Sequence, residues 1–321
     1  GVDEIPNDLH GRYRLLCDCQ RAHAPKMIDP YPAFKTLLSP LRYMFPEEGC
    51  VEQDTGFLHY LDSQYFIDVL VWYHLSWLGH SLKQTQTAQR LINQESLFDT
   101  DDRLELVQLI YDCIVGLIPR YRALSERGQI ELSMTPYGHP IIPLLNDMEN
   151  MRCAQPKDPA PECAAYPGGK ERARWHMQHG IEVFERYFGI RPKGVWLSEG
   201  AVSEDAIGLV EEFDFDWTAS GEGVWRNSIH MSDHDPEVVL SKRALFHSYQ
   251  LGDYRPKLFF RDDGLSDLIG FEYSKHNSVE AANDLVQNLV NIAEFLGDSA
   301  SRHVVTIILD GENAWEYYPH N

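Results

Sequence analysis

The segment Lys193-Gly194-Val195-Trp196-Leu197-Ser198-Glu199-Gly200 decides the fold prediction. Its apolar residues predict a short buried strand over 194–197, and an acidic side chain follows it at Glu199. The stretch before it, 170–188, predicts an amphipathic helix that ends at Gly189. The stretch after it, 203–213, predicts a second helix. A strand between two helices is the repeating unit of a parallel sheet.

The same alternation extends in both directions along the chain. Short apolar stretches predict further strands at 128–133, 217–219, 257–260 and 304–309, and 279–296 predicts another helix. Strands of this kind are typical of a parallel sheet that is buried on both faces. Because five such units are present, we predict an α/β fold with a barrel rather than an open sheet. No strand is followed by Gly-x-Gly-x-x-Gly, so a dinucleotide-binding fold has no support.

Composition excludes several classes of partner. The 321 residues carry a net charge of −21, which repels the phosphates of nucleic acids and anionic membrane surfaces. The longest apolar stretch, 65–78, contains Asp68 and His74 and is too short to cross a bilayer. We therefore expect neither a nucleic acid nor a membrane as partner, whereas a neutral polysaccharide is not disfavoured.

The cysteines bear on the compartment. None of the six forms a Cys-x-x-Cys pair, which disfavours a zinc finger. The scattered cysteines favour a cytoplasmic protein whose thiols are reduced. The alternatives are that the protein is secreted and that Cys153 and Cys163 form a disulfide bridge. No signal peptide is visible, and we expect both termini to be truncated.

Acids and tryptophans recur after the predicted strands. In a parallel barrel, functional side chains follow the C-terminal ends of strands. Two carboxylates on either side of a glycosidic bond can cleave it with acid assistance, and tryptophan faces stack on sugar rings. Structural roles remain open: Glu199 as a helix N-cap, Asp267 as a hydrogen-bond acceptor, and the tryptophans as core. The candidates are Glu131, His139, Trp196, Glu199, Trp217, Arg261, Asp262, Asp263, Asp267, Asp310, Glu312 and Trp315.

Four stretches around these residues resemble motifs of glycoside hydrolase family 57, specifically its amylopullulanase and α-amylase type members. No stretch resembles the family's first motif, which holds a substrate-contacting histidine. The four stretches are Gly128-Gln129-Ile130-Glu131-Leu132 with Pro136 and His139-Pro140; Gly194-Val195-Trp196-Leu197-Ser198-Glu199; Arg261-Asp262 with Leu265-Ser266-Asp267-Leu268-Ile269-Gly270-Phe271; and Leu309-Asp310-Gly311-Glu312-Asn313-Ala314-Trp315-Glu316.

The resemblance implies an incomplete (β/α)7 barrel of parallel strands with helical insertions, truncated at both ends. Residues 1–127 would form its irregular and helical N-terminal part and 128–321 its core, in one continuous catalytic domain. The implied reaction is cleavage of α-glucans with retention of configuration, without a metal or organic cofactor. Glu199 would be the nucleophile. Asp262, directly after a strand, is the first choice for the acid/base, Asp267 the second and Asp263 the third.

The other candidates would bind substrate: Glu131, His139, Trp196, Trp217, Arg261, Asp310, Glu312 and Trp315. Three alternatives remain open. The same site could transfer glucan to a sugar hydroxyl, as a 4-α-glucanotransferase or branching activity does. Asp262 or Asp263 with His176 and His179 could hold a metal in a polysaccharide deacetylase. The chain could also bind glucan without cleaving it. The choice between α-1,4 and α-1,6 bonds, and the oligomeric state, are not encoded in these motifs.

Overall fold

The computed structural model describes residues 5–44, 55–154, 157–159, 165–231, 241–311 and 318. The chain divides into two compact units. Residues 1–116 and 315–321 belong to the first, the helical unit, and residues 117–314 form the second, the sheet unit.

Residues 1–55 contain many prolines and few periodic stretches, so their sequence predicts irregular chain, but the helical unit contains regular helices there. That prediction is wrong for the first two helices, and the prolines explain why. Pro32 is the first residue of its helix, where a missing N–H costs no hydrogen bond, and Pro40 lies inside the same helix without ending it. The helices are α1 (Leu9–Cys19), α2 (Pro32–Met44), α3 (Ser63–Trp77), α4 (His80–Lys83), α5 (Gln86–Gln94) and α6 (Thr100–Glu126), which continues into the sheet unit.

Trp72 of α3 lies at the centre of the helical unit's core. It is 1% exposed and stacks on Phe34 of α2, with the ring centroids 6.2 Å apart. Its indole Nε1 donates to the carbonyl of Glu95 at 2.8 Å. One turn earlier, the buried carboxylate of Asp68 accepts from the N–H of Phe98 at 3.0 Å. These two polar contacts attach the loop that precedes α6 to the buried face of α3.

Helix α6 begins with a reciprocal cap. The carboxylate of Asp99 accepts from the N–H of Asp102 at 2.9 Å, and the carboxylate of Asp102 accepts from the N–H of Asp99 at 3.1 Å. This is the geometry of a capping box, with an aspartate in place of the usual glutamate. The spacing Asp102-Arg103-Leu104-Glu105 also predicts a capping box with Asp102 as the N-cap. That prediction is wrong, because Asp99 is the N-cap and Asp102 is the third residue after it.

The sheet unit is built on parallel strands in chain order. β1 (Gly194–Val195) pairs with β2 (Trp217–Ser220), and β2 pairs with β3 (Lys257–Phe260). Single parallel bridges extend the sheet on both sides, from Met134 to Val195 and from Arg261 to Thr306. Five successive segments thus lie side by side and parallel, as in a (β/α) barrel that is incomplete within the described residues. The predicted α/β class with parallel strands is confirmed.

The helices around the sheet match the sequence prediction within one residue at 170–188, 203–213 and 279–296. Gly189 ends its helix in the left-handed region, with φ 71°, and Ser203 accepts from the N–H of Ala206 at 3.3 Å as an N-cap. The helices are α7 (Ile142–Asn146), α8 (Met151–Ala154), α9 (Gly169–Phe188), α10 (Glu204–Glu212), α11 (Glu222–Met231), α12 (Asp263–Asp267) and α13 (Ser278–Leu296).

One face of β1 is covered by helices. Val195 is fully buried among Met177 and Ile181 of α9 and Val210 of α10. Burying each such apolar side chain stabilises the fold by about 1.5–3 kcal/mol. The helix-covered face anchors the sheet, and the opposite face is left to line a cavity.

Two predicted strands are displaced or shortened. The stretch 128–133 is not a strand: its first two residues close the end of α6, where Gly128, with φ 66°, donates to Ser125 and Gln129 donates to Leu124, and residues 130–133 form no regular element. The pairing starts at Met134, whose N–H donates to Gly194 at 3.1 Å. Within 304–309, only Thr306 pairs with the sheet.

The cysteines differ from the prediction. Cys153 is free, so the alternative Cys153–Cys163 bridge is wrong. Cys17 is disulfide-bonded, so the prediction of six reduced thiols is also wrong. Among the described residues, no helix combines the length and the apolar character that crossing a bilayer requires.

Candidate active site

The C-terminal ends of the parallel segments surround a cavity of about 990 Å³. It lies within the sheet unit, on the side of β1 that the helices leave uncovered. Seven of the residues selected from the sequence line it: His139, Trp196, Glu199, Trp217, Arg261, Asp263 and Asp310. Three others, Glu131, Asp262 and Asp267, do not line it, and Glu312 and Trp315 lie outside the described residues.

Glu199 projects into this cavity from a single helical turn after β1. Its backbone has φ 58° and ψ 19°, the left-handed region that non-glycine residues rarely adopt. Gly200 follows with φ 64°, and a Cβ there would lie 2.9 Å from the indole of Trp196. The Glu199 side chain is 74% exposed, so it is not core, and it does not cap α10, because Ser203 does. Strain of this kind is typical of functional residues.

His139 contacts Glu199 across the cavity. Its Nε2 lies 3.1 Å from Oε1 of Glu199, although the two residues are 60 positions apart. An ionised carboxylate only accepts hydrogen bonds, so this contact requires a proton on Nε2. Nδ1 lies 3.4 Å from the hydroxyl of Thr135. His139 also has a left-handed backbone, with φ 56°, so both partners of this contact are held in a rare conformation.

Arg261 organises the acidic cluster after β3. Its guanidinium donates to Asp263 at 2.7 Å and to Asp267 at 2.6 Å, and its Nε donates to the carbonyl of Ile308 at 3.0 Å. Burial disfavours its charged form, but the hydrogen bonds that it donates to Asp267 and Asp263 outweigh this and raise the pKa of Arg261. The cation thus stays charged and holds two carboxylates beside the cavity.

The three aspartates of this cluster point in different directions. Phe259 and Arg261 line the cavity and Phe260 between them is buried, as the alternation of a strand requires. Beyond the strand, Asp262 is buried away from the cavity and Asp263, the first residue of α12, lines it. Asp262 is 5% exposed and accepts from the N–H of Leu265 at 2.9 Å as the N-cap of α12. Asp263 therefore shares the cavity with Glu199, whereas Asp262 lines a second cavity beside Leu265.

Trp217 forms part of the cavity wall and is held from two sides. Its indole lies against Gly194, the residue opposite it on β1, where a Cβ would come within 2.1 Å of the ring. Its Nε1 donates to the carboxylate of Glu131 at 2.6 Å. Glu131 thus acts on the cavity through Trp217, and the glycine at 194 is required by the flat packing of the indole.

Glu222 was not selected from the sequence. It is 1% exposed, and its carboxylate is bonded to Arg226, Lys242 and the N–H of Asp263. Burial opposes ionisation, but the hydrogen bond and charge of Lys242, with Arg226, outweigh it and lower the pKa of Glu222. The signal was available, because Glu222 follows the C-terminal end of β2 at the same edge as the other candidates.

The metal-binding alternative requires residues that lie in other contacts. His176 Nδ1 bonds the carbonyl of Tyr137, and His179 stacks on Trp175 with its Nδ1 3.2 Å from Glu182. Within the described ranges, no group of three histidine, cysteine or acidic side chains is arranged to hold a metal ion. The ligand set for a deacetylase is therefore not assembled by these histidines.

Several solved structures are similar to this chain. A GH57-type branching enzyme from Pyrococcus horikoshii has 14% identity and a TM-score of 0.46, over 97% of this chain and 61% of that chain. The α-amylase AmyC from Thermotoga maritima has 10% identity and a TM-score of 0.47, over 79% and 56%. The 4-α-glucanotransferase from Thermococcus litoralis has 17% identity and a TM-score of 0.39, over 66% and 28%. The chain thus spans less than two thirds of each of these structures.

A comparison with curated protein sequences finds no match. The model of the family described as glycosyl hydrolase family 57 matches residues 43–321, most of the chain. The stretches around Glu199, Arg261 and Asp310 lie inside that match. This chain belongs to glycosyl hydrolase family 57.

Proposed function

We propose that the sheet unit cleaves α-glucans by a retaining double displacement, with Glu199 as nucleophile and Asp263 as acid/base. The observation that carries the proposal is that these two carboxylates, from the ends of β1 and β3, line one cavity. Family membership supports glycoside chemistry. The choice of α-glucans rests on the resemblance of the four motifs to amylopullulanase and α-amylase type members.

In the first step, a carboxylate oxygen of Glu199 attacks the anomeric carbon and the glycosidic C–O bond breaks. The carboxyl proton of Asp263 moves to the leaving oxygen, so the departing chain leaves as an alcohol. In the second step, water attacks the glycosyl ester, Asp263 takes its proton, and the Glu199 carboxylate is released. His139 donates to Oε1 of Glu199 and orients the carboxylate before attack.

Contacts within the acidic cluster support Asp263 over the other two aspartates. Asp263 lines the same cavity as Glu199, and Arg261 fixes its position by donating to Oδ1. The carboxylate of Asp262 is used by the N-terminus of α12 and is buried away from the cavity. Asp267 is bound to the same guanidinium but does not line the cavity. Asp262 and Asp267 are therefore second choices that substitution can test.

The test measures turnover of amylose and pullulan by the purified protein and by single variants. Glu199→Gln should lower kcat by about three orders of magnitude or more while glucan binding persists, since only the nucleophile is lost. Glu204→Gln, an exposed acid at the start of α10, is the matched control and should keep full activity. Substantial activity in Glu199→Gln would reject the nucleophile assignment.

Two further readouts address the acid/base and the stereochemistry. Asp263→Asn should abolish turnover of amylose, and Asp262→Asn should retain it if it folds. The reverse result would move the role to Asp262. NMR of the first product should show the α-anomer, because a retaining enzyme conserves the configuration. Products longer than the substrate would indicate transfer to a sugar, and binding without any turnover would indicate a non-catalytic glucan-binding protein.

A further inference from the structure

We propose that Ser220 and Glu222 are positioning residues. They fix the distance between the turn Ser198–Gly200, which carries Glu199 and is here called the nucleophile turn, and residues 261–263, which carry Asp263 and are here called the acid/base turn. The inference rests on the proposed function and adds two residues that the four motifs do not contain. Both belong to the segment 220–222, here called the β2 end segment. Because β2 lies between β1 and β3, this segment lies between the turns that carry Glu199 and Asp263.

Ser220 connects the β2 end segment to both neighbours. Its side chain is fully buried, and its hydroxyl donates to the carbonyl of Gly200, the residue after Glu199, at 2.5 Å. Its own carbonyl accepts from the N–H of Arg261 at 2.9 Å. One residue therefore bonds the nucleophile turn through its side chain and the start of the acidic cluster through its backbone.

Glu222 connects the β2 end segment to the acid/base turn. Oε2 accepts from the backbone N–H of Asp263 at 3.2 Å and from Nζ of Lys242 at 2.9 Å. Oε1 accepts from Arg226, one turn later on α11, at 2.6 Å. The two cations fix both oxygens of the carboxylate, so the oxygen that holds the Asp263 backbone cannot rotate away.

The nature of this contact argues for a role beyond stability. A buried ion pair is an inefficient way to stabilise a fold, because desolvation of the charges offsets most of their attraction. Placement of catalytic groups, by contrast, tolerates only small errors, and a displacement of about 1 Å can cost about a hundredfold in rate. A carboxylate locked by two cations supplies the rigid support that such a site needs.

The experiment compares a natural and an activated substrate. Cleavage of a maltooligosaccharide needs a proton on its leaving oxygen. In an α-glucosyl fluoride, by contrast, the fluoride ion leaves without being protonated by the acid/base. Added azide replaces the water that Asp263 would otherwise deprotonate. If Glu222 positions the acid/base, Glu222→Gln should lower kcat on the maltooligosaccharide by about tenfold to a hundredfold. With the fluoride and azide it should lose less than about threefold, and KM for either substrate should change little.

Ser220→Ala tests the other half of the segment and does not remove a buried charge. Since Ser220 supports the nucleophile turn, this variant should lose about tenfold in kcat on both substrates, including the fluoride with azide. Ser228→Ala is its matched control, because that hydroxyl also donates to a backbone carbonyl, but at an exposed position on α11. Glu212→Gln is the control for Glu222→Gln, because Glu212 forms an exposed ion pair with Arg174.

Three results would overturn the inference. Parallel losses of Glu222→Gln on both substrates would reduce Glu222 to a structural residue. Unchanged kcat in Ser220→Ala, with or without a lower melting temperature, would show that Ser220 does not position the nucleophile turn. If Glu222→Gln does not fold, the Ser220→Ala result alone decides whether the inference stands. A wild-type protein inactive on both substrates would instead reject the proposed function itself.

Discussion

At the scale of single residues, the cavity depends on places where a side chain is missing. Gly194 lies directly opposite Trp217 in the neighbouring strand, and the indole fills the space that a Cβ would take. Gly200 makes similar room for Trp196. The two glycines thus make room for two tryptophans that line the cavity beside Glu199, the proposed nucleophile.

Gly194→Ala should therefore damage both packing and binding. The added methyl group would force Trp217 to move, at a cost of about 1–3 kcal/mol, and would break its hydrogen bond to Glu131. We expect a higher KM for glucan and a lower midpoint in urea unfolding. Gly223→Ala is the control, because its new Cβ meets no heavy atom within 4 Å. Equal stability and KM in the two variants would show that the indole does not occupy this space.

The sequence selected both Glu199 and His139 but did not predict the contact between them. An acid after a strand is visible in the motif, whereas the contact with His139 depends on the segment at Met134 pairing beside β1. Local patterns do not encode such a long-range pairing. Among the aspartates, closeness to the strand end favoured Asp262. In the structure Asp262 caps α12 and Asp263 lines the cavity, a difference that depends on where that helix begins.

At the scale of elements, the capping box of α6 predicts a pH dependence. Burial opposes ionisation of Asp102, but hydrogen bonds from Gln94 and Arg90 outweigh it and lower the pKa of Asp102. The unfolded value is about 3.9, so the ionised group stabilises the fold above roughly pH 4. That contribution is lost as the pH falls through the lower, folded value.

Asp102→Asn should accordingly destabilise the protein at neutral pH by about 1 kcal/mol, and the difference from wild type should shrink as the pH falls below about 4. Thermal melting over a pH series measures it. Asp101→Asn, in the same first turn but exposed, should show no such convergence. A difference that grows with acidity would mean that the carboxylate of Asp102 is not favoured by its partners.

The order of the strands places the end of β2 between the two strand ends that carry the candidate catalytic carboxylates. Neighbouring strands lie about 4.8 Å apart, so the ends of β1 and β3 are separated by about 10 Å with β2 between them. β2 ends with Ala219 and Ser220 and is followed by Gly221, and Ala219 and Gly221 line the cavity. Small residues on the middle strand leave the gap open for a sugar ring.

Filling that gap should block catalysis without unfolding the protein. A Cβ at Gly221 would meet no heavy atom within 4 Å, so Gly221→Phe should change stability by less than about 1 kcal/mol. Its ring would project between Glu199 and Asp263, and we expect kcat/KM on amylose to fall by about a hundredfold or more. Gly221→Ala, which adds only the methyl group, should retain most activity. Full activity in Gly221→Phe would place the sugar elsewhere.

At the scale of the whole molecule, regular patterns were predictable and their exceptions were not. The strand at Lys257–Phe260 was predicted to the residue, because a short apolar run between polar turns has one interpretation. The helix α2 was not predicted because it contains prolines. Proline at the first position of a helix, as at Pro32, costs no hydrogen bond and does not prevent the helix. The stretch after α6 resembled a strand because Ile130 and Leu132 alternate with polar residues, but Gly128 and Gln129 close the helix and the pairing starts only at Met134.

The net charge of −21 leads to a prediction about solubility and about binding to DNA. The chain has an isoelectric point near 5.0, so acidification toward that value removes the mutual repulsion that keeps molecules apart at neutral pH. Solubility should therefore be lowest near pH 5, as turbidity over a pH series would show. At neutral pH the same charge should prevent retention on immobilised DNA even at low salt, because no counterions are released by an acidic surface. Retention that salt abolishes would reveal a basic patch and contradict the exclusion of nucleic acids as partners.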